Sequence, residues 1–355
     1  MRRFAFVTTL ALTVLTLLAA SLPAAAADKL WSKGAPTVYV GFGAGGGTDT
    51  SVRPVVIKMQ EHIGETINVV NMPGAASAVA AEHVMGLPND GYSMFATGTG
   101  CYGGFLVQGT APNALPWKWT GFYAVQGPAA MLVNPAKSGI NTLDEAIARL
   151  KAGKANVGVA GFGNGPHVLM EAFAGLAGIK NINYVTFDGD RNVTVGVIAG
   201  DVEIGVVTFS AGIDFARSGD VKVLFLNQST PLTLDSGTVC PAITEVYPKA
   251  GNMPLLSESW PVLIRRDAPK GIIDRLEKAF RWAVEQPEII KYAKEKGMKV
   301  VALSGEEAAK LADYQFTAYA WILWRSGLAQ VDPAKSNLIP LEQWSWDKVK
   351  AKYGY

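Results

Sequence analysis

Two glycine loops of matching spacing are the parts of this chain best suited to chemistry. Gly41-Phe42-Gly43-Ala44-Gly45-Gly46-Gly47-Thr48-Asp49 and Gly161-Phe162-Gly163-Asn164-Gly165 share the order Gly-Phe-Gly-x-Gly. Each follows a β-branched run and precedes a helical pattern. Glycine lets a backbone turn sharply and come close to a ligand. The helix that follows exposes its first N–H groups at the positive end of its dipole, which favours an anion without a lysine or arginine. One loop in each half of the chain predicts a pincer, with two helix N-termini facing one cleft. Charge-assisted hydrogen bonds contribute about 1.5–3 kcal/mol each, so three or four supply much of the roughly 8 kcal/mol that micromolar binding needs. His167, just after the second loop, either donates to the anion or makes a helix-start hydrogen bond.

Other readings of the loops are weaker. Gly41-x-Gly43-x-x-Gly46 matches the dinucleotide fingerprint, but Asn71 stands where that motif wants an acid. A phosphate loop is excluded, because Gly47 occupies its lysine position. A purely structural turn is the remaining alternative, and the repeated spacing argues against it. Catalytic constellations are poor. The three histidines are His62, His83 and His167, and no HExxH, Gly-x-Ser-x-Gly or paired-cysteine motif occurs. No acid–base pair presents itself, so neither turnover, nor a cofactor, nor a metal is expected.

The elements that must position these loops alternate. Thr37 to Val40, Ile67 to Val70 and Tyr92 to Ala96 read as strands, with helices over Thr50 to His62 and Ala75 to Met85. A region with Pro and Gly (Ala111 to Pro128) interrupts the rhythm. It resumes with a strand at Ala129 to Val133, a helix at Thr142 to Lys151 opened by a Thr142–Glu145 capping box, a strand at Ala155 to Ala160 and a helix at Pro166 to Gly175. Helices at Pro269 to Glu285 and Ser304 to Trp324 follow, the second with a capping-box pattern. Strand–helix alternation predicts mostly parallel sheets with helices on both faces, and two such units predict two lobes. The first lobe is residues 28–133 and 259–355 and the second 134–258, with the chain crossing near Val133-Asn134 and returning near Trp260-Pro261.

Residues 1–27 carry the order of a secretory signal peptide: Arg2 and Arg3, an apolar run, then small residues allowing cleavage near Ala26 or Ala27. A retained anchor is the alternative. Cleavage lowers Lys+Arg from 32 to 30 against 30 Asp+Glu. The formally neutral remainder argues against a nucleic-acid partner. Cys101 and Cys240 either form one disulfide in an oxidising compartment or are two buried thiols.

With these residues in view, the chain resembles the tripartite tricarboxylate transporter substrate-binding proteins, the Bug family. Val40 to Asp49, Asn71-Met72-Pro73-Gly74-Ala75, Asn89-Asp90-Gly91-Tyr92, Gly161 to His167, Gly200-Asp201-Val202-Glu203 and Ala268-Pro269-Lys270 come in that family's order and spacing. The resemblance implies a monomeric periplasmic receptor of two α/β lobes (a Venus flytrap) that grips a small organic carboxylate and delivers it to integral membrane permease subunits. A carboxylate sensor for a membrane receptor, or less readily a secreted reductase or hydrolase, are the alternatives. Carried over, the ligand-binding residues are Phe42, Gly43, Ala44, Gly45, Gly46, Gly47, Thr48 and Asp49 from the first loop, Thr97 and Thr99 after the third strand, and Gly163, Asn164, Gly165 and His167 from the second loop. Arg191 and Thr208 complete the set. The chain departs from the family at Gly41, Gly43 and Ala44 (usually prolines), Asn164 (a serine), Asp188 (basic or polar), Arg191 (glycine) and Val207 (aspartate). Phe42, Tyr102, Phe105, Phe162 and Phe209 either line an apolar pocket or belong to the core.

Overall fold

The β-branched run Thr37–Val40 (β1) lies between two parallel partners in a computed structural model that describes residues 29–252 and 257–355. The proposed signal segment falls outside the described residues. β1 pairs with Asn68–Asn71 (β2) and Ser93–Ala96 (β3), and helices Gly47–Ile63 (α1) and Ala78–Gly86 (α2) connect them. After helix Gly100–Val107 (α3) the chain forms strand Trp119–Gly127 (β4). β4 lies inside the region expected to interrupt the rhythm; Gly121 and the wide polar spacing hid its alternation. Strands Glu258–Arg265 (β10) and Lys299–Leu303 (β11), both antiparallel to β4, complete the first sheet in the order β11-β4-β10-β3-β1-β2.

Only Pro128 separates β4 from Ala129–Val133 (β5), the first strand of a second sheet. After short helix Pro135–Ser138 (α4), helix Leu143–Lys151 (α5) starts with the expected capping box of Thr142 and Glu145. Strand Asn156–Val159 (β6), helix Gly165–Ala177 (α6), strand Asn183–Thr186 (β7), helix Asp190–Ala199 (α7), strand Ile204–Thr208 (β8), helix Phe209–Ser218 (α8) and strand Lys222–Leu226 (β9) follow, in sheet order β7-β6-β8-β5-β9. The pairs β6–β7 and β6–β8 are parallel, whereas β5 is antiparallel to β8 and β9. Both sheets are thus mixed, where alternation suggested mostly parallel ones. β5 and Glu258–Arg265 arrive directly from the other lobe without a crossover helix, whereas Lys299–Leu303 follows helices of its own lobe.

β5 explains why its sequence is apolar throughout. Met131 and Val133 enter one cluster with Phe173, while Ala130 and Leu132 enter another with Phe209 and Val197. Helices cover both faces, so no residue of β5 reaches water. Because β5 belongs to the second sheet, the chain passes between sheets at Pro128, not at Val133-Asn134. Glu258 already belongs to the first sheet on the return. Helices Lys270–Val284 (α10) and Pro287–Glu295 (α11) meet at the expected Gln286-Pro287 break, after short helix Ile243–Val246 (α9). Helix Gly305–Arg325 (α12) has no side-chain cap; the Ser304 hydroxyl instead donates to Glu277 Oε1 at 2.9 Å. No described helix is long and apolar enough to cross a membrane. Cys101 and Cys240 are buried thiols in separate clusters, which resolves the open question against a disulfide.

Candidate functional site

The first loop leaves β1 and ends on Gly46, the N-cap of α1, with no side chain capping the helix. Gly45 has φ +75°, where a side chain would be strained. Asp49 holds the loop from within. Its Oδ2 accepts from Gly45 N at 3.0 Å, and its Oδ1 accepts from Arg53 Nη2 at 2.5 Å and Asn71 Nδ2 at 3.2 Å. Asn71 Nδ2 also donates to Phe42 O at 2.9 Å. Asp49 therefore positions the loop, its carboxylate engaged by groups of the loop and its brace. The first N–H groups of α1 stay without a side-chain partner.

The second loop is braced by neutral groups. Gly163 N donates to His167 Nδ1 at 3.0 Å, and His167 N donates to Asn164 Oδ1 at 2.9 Å. Asn164 thus caps α6, and Pro166 has no N–H to offer. An imidazole whose Nδ1 accepts a backbone N–H carries its proton on Nε2. Phe162 and Tyr184 pack edge-on to it at 5.2 and 4.8 Å, and burial pushes its pKa down to about 4, so His167 is neutral. The helix-start hydrogen bonds of His167 are present, and its buried Nε2 has no hydrogen-bond partner.

The loops meet at one gap. A cavity of about 20 Å³ is lined by Gly47 and Thr48 from α1, Asn164 and Gly165 from the second loop, and Thr208. That volume holds one water-sized group. The lobes touch closely around it: a Cβ on Gly47 would sit 2.1 Å from Thr208 Oγ1, and one on Gly165 would sit 1.8 Å from Glu258 Oε2. Two further lining residues, Asp190 and Glu258, are 7% and 3% exposed. Asp190 Oδ2 accepts from Thr208 Oγ1 at 2.5 Å and Thr208 N at 3.1 Å, while Oδ1 has no partner. Glu258 accepts from Gly100 N, the start of α3, at 3.0 Å and from Tyr319 OH at 3.2 Å. Desolvation pushes Asp190 up to about 6 and Glu258 up to about 7, the latter raised further by the negative charge of Asp190. The sequence offered no acid–base pair, and these two carboxyls, far apart in the chain, come together on one cavity.

A groove of about 560 Å³ opens beside the cavity, lined by Phe42, Phe162 and Phe187 and by Gly74 to Ala76. Phe42 lines both spaces. Ala75 and Ala76, which line the groove, and the buried Ser77 after them have φ +46°, +49° and +74°. Three successive non-glycine residues in the left-handed region store strain of about 1–3 kcal/mol each. Ser77 is held there by a 2.6 Å hydrogen bond to the Thr97 hydroxyl. Tyr102, Phe105 and Phe209 are core residues.

Of the residues read from sequence, Phe42, Gly47, Thr48, Asn164, Gly165 and Thr208 line the cavity. Gly43 and Gly45 face Asp188 and Arg191 across the lobe contact. Ala44 is exposed, and Gly46 and Gly163 shape their turns. Thr97 and Thr99 brace strands, Thr99 Oγ1 accepting from Ser259 N at 3.2 Å. Arg191 lies outside the cavity, exposed, with its guanidinium over the Phe215 ring at 5.2 Å. No lysine or arginine lines the cavity among the described residues.

A family model described as "Tripartite tricarboxylate transporter family receptor" matches residues 51–328. A UPF0065 protein of Bordetella pertussis is 27% identical over 325 residues, covering 89% of this chain and 96% of its own. The protein BugT of the same organism is 24% identical over 290 residues, covering 78% and 84%. Among solved structures, the periplasmic binding protein BugD superposes with a TM-score of 0.75 at 20% identity, covering 84% of this chain and 99% of that one. MatC of Rhodopseudomonas palustris, with bound malate, gives 0.74 at 20% identity, covering 82% and 100%. At that identity the structures speak for the two-lobed fold.

Proposed function

Because the chain belongs to the tripartite tricarboxylate transporter receptor family, we propose that it is an exported, monomeric periplasmic receptor. It captures a small organic carboxylate between its lobes and presents the closed form to membrane permease subunits. One observation carries the reading: the N-termini of α1 and α6, from different sheets, border a single cavity. The ligand's carboxylate meets the unclaimed N–H groups of α1, and its body extends past Phe42 into the groove. The cavity holds only a water-sized group, so the lobes part to admit ligand and close on it, and binding shifts the population by its preference for the closed form. Relatives with malate or adipate bound make short carboxylates the first compounds to try.

Native mass spectrometry of freshly purified protein tests this directly, with the expected result a retained carboxylic acid of low mass, released chemically unchanged. Release of an altered compound would favour an enzyme. Absence of any carboxylate, there and in a thermal-shift panel of mono- and dicarboxylates, would remove the reading.

A further inference from the structure

Two carboxylates line the cavity at which the helix starts were expected to receive an anion. Asp190 lines the cavity, is at least nine-tenths buried, and has no hydrogen-bond partner for its Oδ1. An orphaned buried carboxylate oxygen is costly unless something arrives to satisfy it. Glu258 lines the same cavity, pressed against Gly165. Arg191, the one cation the sequence placed near the cleft, turns outward onto Phe215. A positive charge brought by the ligand would balance the pair in its ionised form. With the lobes this close the cavity takes one water-sized group, the size of an ammonium head, so the carboxylate beside Gly47 and Thr48 is admitted only with the lobes further apart.

We propose that the ligand is a carboxylate that also bears a protonated amine, its ammonium seated between Asp190 and Glu258 and its carboxylate at the start of α1. This rests on the carboxylate-capture reading and narrows it. Thr208 fixes the seat by donating to Asp190 Oδ2 through both its amide and its hydroxyl, which leaves Oδ1 for the ammonium. Glu258 is held in turn by Gly100 N and Tyr319 OH.

The charge state of the seat gives a signature in pH. The titratable groups around the pair are Asp190, Glu258, Cys101 and Tyr319. Burial pushes Cys101 up to about 12 and Tyr319 well above its ordinary value, so neither ionises between pH 5.5 and 8. The two carboxyls do titrate there, near 6 and 7. An ammonium favours their ionised forms, so its affinity must rise with pH across this interval and binding must release protons. A carboxylate without an amine favours their protonated forms, so its affinity must fall.

The test pairs alanine, aspartate and 4-aminobutyrate with propionate, succinate and butyrate, and adds putrescine as an amine without a carboxylate. Thermal shift and calorimetry on the full mature chain read the outcome at pH 5.5 and 8. The expected result is that at least one amine-bearing carboxylate binds about 10- to 100-fold tighter than its amine-free partner. Its affinity should rise with pH, and both Asp190→Asn and Glu258→Gln should erase the advantage. Wild-type pH dependence stands independently of whether a variant folds. Amine-free acids binding as tightly as their partners, with affinity falling as pH rises, would overturn this inference and leave carboxylate capture intact. Putrescine binding as well as the amino acids would uphold the acidic seat and remove carboxylate capture. No response to any probe would overturn both.

Discussion

The two glycine loops share their spacing and end with opposite electrostatics. The first is braced by an ionic group, Asp49 with Arg53 and Asn71, tucked behind the turn, and it leaves the start of α1 open. The second is braced by neutral groups, Asn164 and His167; Pro166 removes an N–H, and the protein's own Glu258 lies against Gly165. Glycine spacing decides the path of the backbone. The residues one to three positions later, and one carboxylate from a distant strand, decide whether the helix end is free to take an anion. The pincer is therefore asymmetric: one arm offers donors, and the other presents acceptors.

The strongest way to break the comparison is to wedge the arms apart. Gly165→Ala places a methyl 1.8 Å from Glu258 Oε2, and overpacking of about 1–3 kcal/mol should lower ligand affinity tens- to a hundredfold in calorimetry. Gly47→Ala, against Thr208, should act in the same direction. Unchanged affinity in both would show that this contact does not form in the bound state.

Glu258→Gln separates charge from shape. The folded protein raises this pKa from 4.5 to about 7, so the stability gained from the protonated form is complete below 4.5 and lost as pH rises through 7. The variant should be more stable than wild type by about 1–3 kcal/mol at pH 8 and nearly equal to it at pH 4.5, measured by urea unfolding. An equal gain at both pH values would show that packing, not ionisation, sets the effect.

Smaller effects sharpen the contrast between the braces. Asp49→Ala leaves the Gly45 amide unbonded and should cost about 1–2 kcal/mol in stability and roughly tenfold in affinity. Asn164→Ala removes a neutral cap and should cost about 1 kcal/mol in thermal unfolding, with less effect on affinity. If Asn164→Ala weakened binding more than Asp49→Ala, the assignment of the open arm to α1 would be reversed.

Local pattern made much of this legible. β1, β5, the Thr142–Glu145 cap of α5 and the Gln286-Pro287 break stand where the residues indicate, because each depends on neighbours a few positions apart. β4 escaped because glycine and turn residues mask its alternation. At the site, the loop glycines were readable, and the acidic pair was not. Glu258 owes its burial to Gly100 and Tyr319, 158 and 61 residues away, and no local spacing encodes such a meeting. Arg191 misled for a geometric reason: neighbours on a helix point about 100° apart, so Asp190 turns inward and Arg191 outward.

Pro128 has a mechanical consequence. Its carbonyl accepts from Phe209 N at 2.9 Å, which fastens it to the second lobe, and its ring locks φ. At this crossing Gly127, the last residue of β4, pairs with Glu258, where the chain comes back to the first sheet. The two passages between the lobes are thus stitched side by side, so a swing of one lobe over the other has to bend both strands together.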